Sequence, residues 1–265
     1  MYWYFVPSSA ANSLASGHTY AENYNTSGGT SEDKVNLTIN PREMSNVTAS
    51  ATTVTYNGSQ QTANVSISDS GATLTANDYT ISGNTGTNAT SYTITITGRN
   101  NYTGTKEITW TINKRPVTIT ADSASKTYDG TVLTKNSVTA SAQDNTKNTG
   151  MISSHHVHTW TVSGSQTTAG SSYNTVTAAT IYNGASSTHG GSGDTTNVTN
   201  NYDITFAKGT LKVTARPITY KANDESKVYN GSKLTASNTA TLKSGSLPSN
   251  HTATFTCTGD RKSVV

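Results

Sequence analysis

Three histidines set close together, His155, His156 and His158, with Trp160 beside them, are the side chains whose types and spacing most suggest chemistry. Imidazole nitrogens ligate zinc, copper and nickel, and alternate residues of a strand project to one face, which would bring His156 and His158 together. A metal site also needs a third ligand and groups that hold the ligands in place, and the sequence shows neither nearby. The expectation is a solvated strand face.

Acidic residues offer less. Ser31-Glu32-Asp33 and Asn223-Asp224-Glu225-Ser226 lack the ligand spacing of a calcium loop and read as solvated turns. No pair of carboxylates stands in settings that would drive their protonation apart, and there is no nucleophile elbow or phosphate-cradling glycine loop. The 14 tyrosines could present stacking faces to sugars. The commoner use of such residues is to fill a thin core while the hydroxyl stays wet. We therefore assign no catalytic, cofactor-binding or metal-ligating residue and no cofactor, and expect a chain that is not an enzyme.

Composition narrows the class further. Apolar residues make up 32% and charged residues only 12% of the 265, with Thr, Ser, Asn and Gly dominating, which is lean for one large core. Disordered chains pair low hydrophobicity with high net charge and few β-branched or aromatic residues, whereas Tyr, Thr, Val and Ile abound here. Small β modules are the reading that fits. The net charge of +3 is spread without a basic run, so nucleic acid is not an expected partner. A single cysteine, Cys257, excludes a disulfide framework within these residues. Met1 to Val6 lack the basic start and sustained apolar stretch of a signal peptide, and no segment has the apolar length of a membrane span.

The elements that would position any site are strands. Tyr92 to Thr97, Ile108 to Ile112 and Val117 to Thr120 alternate polar and apolar residues strictly, so each puts every second side chain on one face. Antiparallel sheets with one wet, Thr-rich face are expected. At most one short helix per module is expected, since no long stretch shows helical spacing with caps. Asn57-Gly58, Ser70-Gly71, Asp129-Gly130, Asn183-Gly184 and Asn230-Gly231 supply the positive φ angles of tight hairpins.

Self-similarity organises the whole chain. Lys114 to Thr134 and Ala215 to Thr235 match at 10 of 21 positions, at an offset of 215 − 114 = 101 residues. The shared skeleton is Arg-Pro, a strand, Ser-Lys, Tyr-(Asp/Asn)-Gly and Leu-Thr. A fainter copy runs from Pro41-Arg42 to Tyr56-Asn57-Gly58. The copies share an ending, because Asn101-Tyr102 leads into Lys106 to Ile112 while Asn201-Tyr202 leads into Gly209 to Thr214. Short junctions around Pro limit hinge freedom. Gln143 to Ser154 and Ser186 to Thr196 read as loop-rich insertions.

These residues resemble the YDG and MBG-type repeats found in tandem in large bacterial adhesins and cell-wall proteins. The resemblance rests on the Arg-Pro strands, the Tyr128-Asp129-Gly130 and Tyr229-Asn230-Gly231 turns, and the closing Asn201 to Phe206 and Gly209 to Val213. Residues Ser45 to Ile112 are similar to the shorter immunoglobulin-like or β-grasp-like repeats of the same proteins. The resemblance implies an extracellular, cell-surface or cell-wall location and an adhesive or spacer role. It implies neighbouring repeats as partners, and it leaves open host or environmental glycans as ligands and a spacer role in a secreted glycan-degrading enzyme. Such adhesins can carry Lys-to-Asn isopeptide bonds, for which Lys126 and Lys227 stand at matching positions.

The expected architecture is all-β: tandem small antiparallel modules, each an immunoglobulin-like sandwich or β-grasp, with the last truncated. The boundaries are residues 1–36, the tail of a preceding module or a disordered stretch; 37–113, a short β repeat; 114–214, a YDG-type repeat; and 215–265, the start of a further repeat. Poor order is expected after about Ser244, and residues 260–265 depart from the Thr-rich pattern.

Overall fold

A computed structural model of the chain describes residues 40–184 and 196–258. The first 39 residues, including Glu32-Asp33 and the expected strand from Val35, the stretch 185–195 and residues 259–265 lie outside the described part. The architecture is all-β. The described residues hold no α-helix, only two 3-10 turns at Met44–Asn46 and Thr199–Asn201.

The first segment carries β1 (Arg42–Glu43), β2 (Thr48–Ala51), β3 (Val54–Thr55), β4 (Gln61–Thr62), β5 (Val65–Asp69), β6 (Ala72–Thr73), β7 (Tyr79–Ser82), β8 (Thr85–Gly86), β9 (Ser91–Gly98), β10 (Tyr102–Thr103) and β11 (Thr105–Asn113). The second carries β12 (Arg115–Ala121), β13 (Ala124–Thr127), β14 (Val138–Ala140), β15 (His155–Ser163), β16 (Gly170–Asn183), β17 (Thr196–Asn197), β18 (Tyr202–Ala207) and β19 (Gly209–Thr214). The third carries β20 (Thr219–Ala222) and β21 (Ala240–Ser244). Every ladder joins strands of one segment.

The alternation read in the sequence becomes alternation of burial. Ile94 and Ile96 of β9, Trp110 and Ile112 of β11, and Val117, Ile119 and Ala121 of β12 all face inward, while the Thr residues between them are more exposed. One contiguous apolar cluster runs from Met44 to Tyr202 and so spans the first two segments. No residue from Ala215 to Thr258 is buried.

Strand direction departs from the all-antiparallel expectation. In the second segment β12 runs parallel to β18, from Arg115 opposite Tyr202 to Thr120 opposite Ala207. The chain then leaves that sheet at Asp122, and β13 runs parallel to β19. The side chain of Asn174, 1% exposed, bonds the carbonyls of Asp122 and Lys135 at 2.9 Å each, which satisfies backbone groups where the strand changes sheets. The first segment repeats the scheme: β1 lies parallel to β10 with Arg42 opposite Tyr102, and β3 lies parallel to β11. Alternation specifies faces, not partners, and each opening strand meets its closing strand only after the whole repeat has intervened.

The glycine turns are also not all hairpins. Ser70-Gly71 makes the expected two-residue reversal between β5 and β6. Asn57, Asp129 and Asn230 instead close Asx turns, their side-chain oxygens accepting the N–H groups of Ser59, Thr131 and Ser232 at 2.9, 2.9 and 3.2 Å. After Asn57 and Asp129 the chain passes on to another sheet, from β3 to β4 and from β13 to β14, whereas Asn230 lies in the connection between the paired strands β20 and β21.

Candidate functional site

The richest cluster of buried polar groups sits where the first segment meets the second. Tyr56 is 2%, Arg115 1%, His155 5%, Asn201 5% and Tyr202 3% exposed. Four of these five come from features repeated in the sequence: Tyr56 from the Tyr-Asn-Gly turn, Arg115 from the Arg-Pro strand, and Asn201-Tyr202 from the shared ending. Tyr56 donates its N–H to Asn113 at 2.9 Å, as Tyr128 donates to Thr214 at 2.8 Å, so the turn is tied to the final strand in both segments.

Arg115 holds the junction through neutral oxygens. Its Nε donates to the Gly150 carbonyl at 2.7 Å and its Nη2 to those of Thr149 and Asp144 at 2.7 and 3.2 Å, while Nη1 reaches the Tyr56 carbonyl at 3.5 Å. The rigid guanidinium fork suits such a fan of acceptors. The Gln143 to Ser154 insertion is therefore the cage of Arg115, closed by the Asp144–Thr149 bridge. Gly150, at φ +75°, fits because a Cβ there would strike the Ala142 carbonyl.

His155 is not on a solvated face, which corrects the sequence reading. Its Nδ1 lies 2.7 Å from the Tyr202 hydroxyl, and its ring is 6.0 Å from that of Tyr56. The Tyr202 hydroxyl also accepts the Ile152 N–H at 3.2 Å. Burial, with the neighbouring His156 charge, lowers the His155 pKa, and burial pushes the Tyr202 phenol up to about 12. Asn201 crosses to the first segment, where its Oδ1 accepts the Ala89 N–H at 2.7 Å and its Nδ2 donates to Asn88 at 3.1 Å. The hydroxyl of Tyr202 is thus bonded inside, not wet.

A pH dependence follows with a definite sign. The unfolded chain takes up a proton on His155 near its ordinary value of about 6.5, while the folded chain resists it. The stabilisation is complete above that value and is lost as pH falls from about 6.5 toward the lowered folded value. We expect the urea midpoint to fall more between pH 7.5 and pH 5 in the native chain than in His155→Gln, and parallel profiles would refute this.

His156 and His158 do come together, with rings 5.9 Å apart, but by a different route from simple alternation. The β15–β16 ladder shifts register between Val157 and Thr159, and His158 stacks on Tyr182 at 4.1 Å. Among the described residues no three His, Cys, Asp or Glu side chains are grouped to hold a metal ion. Lys126 donates to the Asp129 carboxylate and to Thr131, and Lys227 donates to Ser232 and Lys233, so both brace their Asx turns. Asp129 is held well below the usual carboxylate range by these bonds from Lys126 and Thr131. Exposed tyrosines include Tyr173, whose ring is covered by Lys208 at 4.7 Å, and Tyr229.

Sequence reading missed that His155 belongs to the repeat. The third segment carries a counterpart, His251, 251 − 155 = 96 residues on, against 101 for the Arg-Pro pairs. The His155 N–H donates to Ile152 and the His251 N–H to Pro248, forming the same turn. Tyr128 meets His251 with hydroxyl and Nε2 2.7 Å apart, where Tyr56 meets His155 by ring packing at 6.0 Å. Extending the alignment across a five-residue gap would have found it.

No family model, curated protein or solved structure matches this chain.

Proposed function

We propose that the chain is a non-catalytic structural or adhesive repeat region of a secreted bacterial surface protein, of the kind in which YDG and MBG-type repeats occur. The observation that carries this reading is the recurring junction: a Tyr-(Asn/Asp)-Gly turn of one segment seats the histidine turn of the next, at Tyr56 with His155 and again at Tyr128 with His251. Such units suit a tandem array, in which stability comes from each repeat and its neighbour. Among the described residues no helix is long and apolar enough to cross a membrane.

The test is protease shaving of intact source cells, followed by mass spectrometry. Peptides from residues 41–258 should be released from the surface. Their confinement to the cytosolic fraction would defeat the proposal.

A further inference from the structure

Strand direction in the first two segments has a mechanical consequence. The chain enters the second segment from Asn113 through Lys114 and leaves it from Thr214 into Ala215. A pull along the chain is therefore applied to the start of β12 and the end of β19. Those two ends belong to runs that lie side by side and point the same way. Residues 115–120 are opposite residues 202–207, and residues 124–127 are opposite residues 211–214, ten register pairs in all. Lengthwise tension must slide the opening run past the closing run, so the bonds of both ladders share the load. In an antiparallel pair such as β15–β16, tension on the two adjacent ends opens one pair at a time.

The seam is also tied where the chain changes sheets. The Ser123 hydroxyl accepts the Thr210 N–H at 3.0 Å. Asn174 bonds the Asp122 carbonyl through its side chain and stands opposite Gly209 in the β16–β19 ladder. Gly209 passes so close to the Ala121 and Asp122 carbonyls that a Cβ would strike them. Past β13, the Tyr128 N–H donates to the Thr214 carbonyl at 2.8 Å. Val117, Ile119 and Ala121 of the opening run and Leu211 and Val213 of the closing run are at most 3% exposed. Water is thereby kept from competing for the ladder bonds until the runs have moved. The first segment has the same arrangement on a smaller scale, with β1 and β3 parallel to β10 and β11 over four register pairs.

We propose that each of these two segments is a load-bearing unit whose parallel opening and closing strands form a shear clamp, and that the second withstands more tension than the first. The function this adds is resistance to force directed along the chain. Such resistance is distinct from unfolding free energy, because forced unfolding is governed by the unfolding rate. The proposal rests on strand direction and register alone, so the clamp and the cell-surface location fail separately.

Single-molecule force spectroscopy on the whole 265-residue chain tests it, with Cys257→Ser and two exposed attachment cysteines in each variant. Lys114→Cys with Ala215→Cys loads the second segment lengthwise. Lys114→Cys with Asn200→Cys pulls the same β12–β18 ladder from one end, where Arg115 and Tyr202 are opposite each other. Pro41→Cys with Lys114→Cys loads the first segment lengthwise. Lengthwise rupture should release about 350 Å of chain from the second segment and about 250 Å from the first. The one-ended pull should yield at about half the lengthwise force or less, since one bond at a time then resists. The first segment should yield at a lower lengthwise force than the second. Equal forces for the lengthwise and one-ended pulls, or a lengthwise rupture at the lower force, would overturn the clamp. A first segment that outlasts the second would overturn the ranking by register.

Discussion

Arg115→Ala is expected to lower unfolding stability by about 4 kcal/mol, because it strips donors from carbonyls that folding has removed from water. A buried acceptor left without a partner costs about 1–3 kcal/mol. Arg115 supplies bonds of 2.7 Å to both Gly150 and Thr149 and a longer one to Asp144. The lost packing of the side-chain stem adds to this. Arg115→Lys keeps the charge but presents a point donor in place of a fork, so about half the loss should remain. Urea unfolding followed by circular dichroism measures both. Hydrogen exchange should show the loosening at residues 141–155 and 202–207 first. A cost under about 1 kcal/mol for the Ala variant would mean that the guanidinium is not the clamp described above.

Trp110→Ala should cost a similar amount, about 4 kcal/mol, through a different mechanism. The side chain is 0% exposed, its ring lies 5.4 Å from that of Tyr92, and its Nε1 donates to the Thr52 carbonyl at 3.0 Å. Removing so large a buried ring leaves a cavity that the surrounding Ile94, Ile96 and Ile112 cannot fully close. Trp110→Phe keeps most of the volume and should cost about 1–2 kcal/mol, chiefly for the lost bond. The damage should centre on residues 42–113 in hydrogen exchange. A cost for Trp110→Ala like that of a surface substitution, within about 0.5 kcal/mol, would contradict the burial of β11.

The two substitutions separate what local pattern encodes from what it does not. Trp110 was legible as an inward residue because Ile108, Trp110 and Ile112 alternate with Thr. Arg115 was legible only as part of an Arg-Pro repeat, since nothing in its neighbours says that a cation will be buried. His155 was misread for the same reason. On a strand with His156 and His158 it read as part of a solvated face, and its burial depends on Tyr202, 47 residues later.

Sequence by itself determined the all-β class, the strands that alternate, the positions of the Gly turns and the repeat that links Tyr56, Tyr128 and Tyr229. These depend on neighbours within a few residues, where pleat and φ angle decide the outcome. Tertiary structure alone decided that opening strands lie parallel to closing strands, that the Asx turns of Asn57 and Asp129 lead between sheets, and that Arg115, His155 and Asn201 lock two segments together. Those outcomes join groups as far apart as Ala89 and Asn201, 112 residues, and no periodicity carries information across such a distance. Pairing direction and polar burial are settled only when distant chain segments compete for the same hydrogen bonds.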